Sequence, residues 1–163
     1  LRIRSHYDKV AAQLRLGTKI EKTDYAGNTV IVLVGNVTQV SVGAMSYASS
    51  LGNDIVAMHV STEETKAKDM EVAEEFKHYF PDIRFENVMT SYRDIIQPTV
   101  EFVAKVAEEA KAKGNTVTVL VPQFIPKKHW QNILHNQMSL KLKYALRWHE
   151  EVVVASYSYH LSQ

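Results

Sequence analysis

Short, continuously apolar runs alternate along this chain with longer amphipathic stretches. Thr29–Val34 reads TVIVLV, the signature of a strand buried on both faces. Gly35-Asn36 breaks it, and Val37, Val40, Ala44, Tyr47, Ala48 and Leu51 then recur at helical spacing until Gly52. Small residues from Ser41 to Ser50 let that helix lie close to a sheet. Asp54–Val60 is the second predicted strand. Ser61 with Glu64 reads as a capping box for a helix whose apolar positions are Met70, Ala73, Phe76 and Phe80, ended by Pro81. Ile83–Val88 is a third, half-alternating strand. Asp94 caps a helix carrying Ile95, Val100, Val103, Val106, Ala107 and Ala110, which stops at Gly114-Asn115. Val117–Val121 is the fourth strand, His129–Trp148 a fifth helical segment with Leu140, Tyr144 and Trp148 one below another, and Val152–Ala155 the last strand.

This βαβαβαβαβ order predicts an α/β fold: a five-stranded, mostly parallel, doubly wound sheet with helices on both faces, in the order 3-2-1-4-5. The final strand is apolar, and at an edge it invites pairing through the last strand or helix with a second copy. Between strand four and the fifth helix lies Pro122-Gln123-Phe124-Ile125-Pro126. Two prolines fix φ and remove donors, so the segment is expected to be a loop rather than helix or central strand. Residues 1–22 form a separate unit ahead of a domain spanning 23–163. In it Tyr7, Val10, Ala11 and Leu14 recur at helical spacing among Arg2, Arg4, Lys9 and Arg15. Two readings stand: a surface helix or arm, or a juxtamembrane segment on the cytoplasmic side of a preceding span.

Composition narrows the function classes. The 163 residues, 45% hydrophobic and 23% charged, suit one soluble domain with its own core. With no cysteine, disulfides, thiolate metal sites and thiol catalysis drop out. A net charge of +1 gives no overall attraction to nucleic acid. No apolar run approaches the roughly 18 residues of a membrane span. No signal peptide is visible, and the start at Leu1 suggests an excised piece of a longer protein.

Parallel sheets place ligands beyond the carboxyl ends of their strands, which selects the candidate residues. Gly35, Asn36, Val37 and Thr38 make the turn after strand one; Gly35 admits a ligand close to backbone and Thr38 can face a phosphate at the positive end of a helix. The alternative is an ordinary βα turn with Thr38 as N-cap. His59, Val60 and Ser61 close strand two at the same edge, where His59 can also be a satisfied core histidine. Pro122, Gln123 and Phe124 offer a ring to stack on a purine and an amide to pair with it, with Lys127, Lys128 and His129 toward phosphate; otherwise the segment is a rigid cover with Phe124 and Trp130 as core plugs. His135, Asn136, Gln137 and Ser139 either start a helix whose N–H groups point at anions or sit on the wet face of an unbroken one. Lys141, Lys143 and Arg147 read as a solvated face. His129 and His135 are six apart, which is no metal spacing on a helix. No nucleophile elbow, Walker loop or acid/base pair stands out, so no enzymatic activity or catalytic cofactor is expected.

A strand-one loop, a strand ending His59-Val60 and a ligand loop after strand four together resemble the universal stress protein fold, an adenine-nucleotide-binding α/β domain. The resemblance implies that the Val60 backbone faces adenine. It also departs from the pattern: Asn36 stands where an acid is expected, and the Pro122–Pro126 segment replaces the glycine-rich loop. Asn136 and Ser139 fall near where the family's glycine-serine pair would be. This puts ordinary ATP binding in doubt. More of the chain is similar to the cytosolic C-terminal module of KUP-type potassium permeases of the amino-acid-permease superfamily, through HYDKVAAQLRL, VIVLVGNVT and HWQNILHNQ…YHL. That resemblance implies a regulatory domain at the cytoplasmic face of the membrane, linked to the transmembrane part of the same chain. It further implies a homodimer that binds cyclic di-AMP and thereby inhibits proton-coupled potassium uptake. Two other readings are a stand-alone universal stress protein binding ATP or AMP, and a ligand-free dimerisation domain of an amino-acid permease.

Overall fold

Residues 2–15, 17, 22–91, 94–125 and 137–160 are described by the structure, a computed structural model. The elements are α1 (Arg2–Leu14), β1 (Gly27–Leu33), α2 (Gln39–Leu51), β2 (Asp54–Ser61), α3 (Lys66–Tyr79), β3 (Arg84–Met89), α4 (Ile96–Ala112), β4 (Asn115–Ile125), α5 (Gln137–Leu146) and β5 (Val152–His160). The strands form one five-stranded sheet in the order β3-β2-β1-β4-β5, and each neighbouring pair is parallel. The expected class and strand order are therefore the observed ones.

Central β1 is apolar on both faces because both are covered. Val30 and Val32 join Ala44, Met45 and Ala48 of α2, Phe76 of α3, Ala57 and Leu120. Ile31, on the other face, joins Val103 and Val106 of α4, Leu142 and Leu146 of α5, Val56, Met58 and Val119. Gly114 turns α4 into β4 at a φ of 75°, a conformation that only glycine adopts without strain. Gly43 of α2 serves a different end: a Cβ there would lie 2.4 Å from the Tyr157 hydroxyl of β5, so its bare backbone lets helix and strand touch.

Four expectations are corrected. The first concerns Pro122–Ile125, which is strand and not loop: β4 runs through it, paired with β5 from Pro122↔Tyr157 to Ile125↔His160. The proline is tolerated for a geometric reason. The Val117 N–H points to β5, where it donates to the Glu151 carbonyl. Donors alternate along a strand, so position 122 faces the β1 side. There the β1–β4 ladder has already ended, at Val32↔Leu120. The missing N–H thus falls where pairing with β1 ends and leaves the β5 ladder intact, and β5 reaches His160 rather than stopping at Ala155.

The second is the capping box at Ser61. Ser61 belongs to β2, and its hydroxyl donates to the Asn87 side-chain carbonyl and lies 3.2 Å from Met89 Sδ. The turn before α3 is instead held by Thr62 N–H donating to Thr65 Oγ1 at 2.9 Å. Third, the buried stripe of α3 is Asp69, Val72 and Phe76, while Met70 is exposed. Fourth, α5 turns Leu142 and Leu146 inward. Leu140, Tyr144 and Trp148 are exposed, and the Arg147 guanidinium packs over the Tyr144 and Trp148 rings at 3.8 and 4.5 Å. The described part of that helix begins at Gln137; residues 129–136, where its start was expected, lie outside the described residues.

Candidate ligand site at the carboxyl edge of the sheet

The chain leaves β1 toward β2 on one side and returns as β4 on the other, so the strand order reverses between β1 and β4. At such a point the connections diverge and leave a crevice. Here it is a cavity of about 250 Å³ lined by Leu33, Val34, Gly35, Met58, His59, Val60, Ile95, Thr99, Val121 and Pro122. Its walls are mostly apolar. Two features shape it: the turn into α2 moves off after Gly35, and the start of α4 covers the opposite face.

The turn is built locally. Thr38 is the N-cap of α2, and its N–H donates to Ser41 Oγ at 2.7 Å while that hydroxyl donates to the Asn36 carbonyl at 2.6 Å. No acidic residue occupies the first turn of α2, so nothing there offsets the positive end of the helix. On the other wall the Thr99 hydroxyl is buried and donates to the Ile95 carbonyl at 2.6 Å. Asp94 caps α4 as expected, accepting from Ile96 N–H at 3.0 Å.

His59 anchors the end of β2. It is 5% exposed, with Nδ1 2.7 Å from the Val34 carbonyl and Nε2 2.8 Å from Asp69 Oδ1. The ring ties β2 to β1 on one side and to α3 on the other. Burial pushes the Asp69 carboxyl up. The Thr65 hydroxyl and the His59 ring outweigh that and hold it below the usual carboxylate range. At the opposite end of the sheet burial likewise raises Asp54. Hydrogen bonds from the Thr29 hydroxyl at 2.7 Å and Lys113 Nζ at 2.9 Å bring it below its ordinary value.

The sign of the acid response follows. Both folded-state values lie below the unfolded one, so the folded chain binds fewer protons in acid. The stabilisation is complete above the unfolded carboxylate value of about 3.9 and fades as pH falls through it toward the lowered values. Urea unfolding midpoints are expected to be flat with respect to these groups above about pH 5 and to fall below about pH 4. Asp69→Asn should make that acid limb shallower; an unchanged limb would remove Asp69 from its causes.

Of the residues selected from sequence, Gly35, His59, Val60 and Pro122 line the cavity together. Asn36, Val37 and Thr38 follow Gly35 in the turn, with Asn36 and Thr38 exposed. Ser61 is 1% exposed and turned to β3 through Asn87. Gln123 is half-buried one residue beyond Pro122, and Phe124 stands opposite Tyr159 in the β4–β5 register. Gln137 and Ser139 lie on the first turn of α5. His135 and Asn136 lie outside the described residues, as do Lys127, Lys128, His129 and Trp130. Sequence reasoning did not select Leu33, Val34, Met58, Ile95, Thr99 or Val121, which complete the lining, nor Asp69, which holds His59. Ile95 was read only as an apolar position of a helix, and Thr99 was not singled out. Asp69 had no signal in the periodicity.

Among the described residues no group of three His, Asp or Glu is placed to hold a metal ion, and no helix is long and apolar enough to cross a membrane. The family described as the KimA potassium transporter C-terminal domain matches residues 26–159. Over 161 residues the chain is 36% identical to the potassium transporter KimA of Bacillus subtilis (strain 168), an alignment that takes in 99% of this chain and 26% of that protein. The chain thus spans about a quarter of the length of the curated relative it matches.

Proposed function

This chain belongs to the family of KimA potassium transporter C-terminal domains, and from that premise we propose that it is the regulatory, non-catalytic module of a potassium transporter. Residues 23–163 form the module and 1–22 connect it to a transmembrane part of the same chain, with the module at the cytoplasmic face. The regulator is cyclic di-AMP. It binds at the carboxyl edge of the sheet, close to a two-fold axis between two copies, and biases the transmembrane part toward a closed state through its preference for one arrangement of the dimer.

The observation that carries this reading is the size and place of the cavity at the strand-order reversal. Sites that enclose a whole small ligand run from roughly 300 to 1,000 Å³. At about 250 Å³ this one suits a single purine. A cyclic dinucleotide is two-fold symmetric, so two copies can each hold one adenine in the same pocket across an isologous interface. The Val60 backbone lies where adenine would hydrogen-bond, and the open end of α2 beside Gly35 lies where a phosphate would sit. Nothing here matches the glycine-rich wrap that a triphosphate needs.

Calorimetry with cyclic di-AMP, AMP and ATP tests the reading. Cyclic di-AMP should bind with one dinucleotide per two chains, and ATP should bind much more weakly. ATP binding as tightly as cyclic di-AMP, or no heat with the dinucleotide, would overturn it. Phe124→Ala is expected to lower dinucleotide affinity by about 1–3 kcal/mol through lost base stacking, with the unfolding midpoint of the same variant showing whether the ring is also structural.

The dimer has its own test. β5 is a sheet edge of nine residues, and Val153 on it is 54% exposed. An open apolar edge pairs readily with another chain. Light scattering should report a dimer at high concentration, and Val153→Lys should shift it toward monomer; a monomer throughout would exclude this interface.

A further inference from the structure

Helix α1 lies outside the family match and takes no part in the nucleotide site. Its apolar side chains Ile3, Tyr7, Val10 and Leu14 are spaced four, three and four residues apart. At about 100° per residue they fall within an arc of about 60°. That is a stripe built to be covered, yet the four are 72%, 67%, 37% and 78% exposed.

Charge identifies the cover. From Ile3 to Arg15 the cations are Arg4, Lys9 and Arg15, against the single anion Asp8. The first fifteen residues carry a net +3 while the whole chain carries +1, so everything after them is net acidic. Arg4 and Arg15 flank the stripe on one side, where long stems let a guanidinium reach past a buried apolar edge. Tyr7 pairs an apolar ring with a polar tip, the combination favoured at a membrane–water boundary. A second copy of α1 fits less well. Paired helical coils need three to four sustained heptads, and a helix of 13 residues holds fewer than two.

We propose that α1 is a membrane-surface helix: Ile3, Tyr7, Val10 and Leu14 sink into the headgroup boundary of an anionic bilayer while Arg4, Lys9 and Arg15 meet lipid phosphates. The placement fixes where the module sits relative to the membrane and leaves the nucleotide pocket free. It stands independently of which nucleotide, if any, the module binds.

Sedimentation of the 163-residue chain with lipid vesicles tests this. The chain is expected to pellet with phosphatidylglycerol-containing vesicles, not with pure phosphatidylcholine vesicles, and raised salt should release it. Arg4→Gln and Arg15→Gln should each lower the vesicle partition coefficient about five-fold. Leu14→Ser should lower it further through loss of apolar contact. All three positions are exposed, so urea midpoints should stay at the parent value and show that the body remains folded. Equal binding to both vesicle types, or binding unaffected by the arginine substitutions, overturns the proposal. So does a parent chain that ignores vesicles but dissociates from dimer to monomer on Leu14→Ser, which would assign the stripe to a second copy.

Discussion

Asp69→Ala is expected to lower the free energy of unfolding by about 3 kcal/mol, the upper end of the usual penalty for leaving a buried donor without its acceptor. The carboxylate's side chain is 8% exposed and lies 2.8 Å from His59 Nε2. Its loss leaves a buried ring nitrogen without its partner. The Thr65 hydroxyl, which donates to the same carboxylate, is freed as well. Asp69→Asn keeps one acceptor oxygen in place and should lose distinctly less. Urea denaturation of the three chains makes the comparison. A loss below about 1 kcal/mol for the alanine variant would mean that the pair behaves as a surface contact, which stabilises by no more than that. Because His59 also ties β2 to the Val34 carbonyl, the same variant is expected to weaken dinucleotide binding secondarily, by loosening the rim of the cavity.

Phe76→Ala should have a comparable effect, about 3–5 kcal/mol, set by lost apolar contact and the void left behind. Phe76 is fully buried. Its ring lies 4.9 Å from that of Phe85 on β3 and 5.0 Å from that of Phe80 at the end of α3. Phe85 in turn lies 6.2 Å from the His59 ring. The two variants therefore damage one contiguous block, and their effects should not add. Residues sharing partners couple by roughly 0.5–3 kcal/mol, so a double variant losing the plain sum of the two would show that α3 is held by two independent attachments.

These positions also show where sequence reading succeeds and where it stops. Runs such as TVIVLV are the most legible: short, mostly β-branched and apolar, and bounded by Gly35-Asn36, they read as a strand covered on both faces. Such runs, together with the half-alternating third strand and helices between, leave one common architecture, and the strand order followed. Helix faces were less legible. In α3 Phe76 is inside as expected and Phe80 packs against the core, but Asp69 and Val72 take the inward places expected of Met70 and Ala73. A carboxylate counts as a wet-face residue until its partner is known, and that partner, ten residues earlier on another element, leaves no mark on periodicity. In and just after α5 the ridge Leu140, Tyr144 and Trp148 outweighs Leu142 and Leu146 in size, yet the smaller pair faces the core. Volume says what a side chain can fill, not which way its helix is turned. The place of the cavity was legible in outline, since strand ends are found from strands. Ile95 and Thr99 entered it only because α4 crosses above that edge.

An open sheet ordinarily has two free margins, here β3 and β5. Among the described residues this one has a third. Beyond Leu120 no strand pairs with β4 on its β1 side, so the stretch Pro122–Ile125 presents an unguarded flank of backbone. Such a flank is a template for an intruding strand and, at the concentrations of an unfolded or crowded protein, a seed for aggregation. Pro122 stands at its first position, with its ring where the first inviting N–H would be. The residue that sequence rules forbid in a central strand thus stands as a guard at the place where the pairing of β4 with β1 ends.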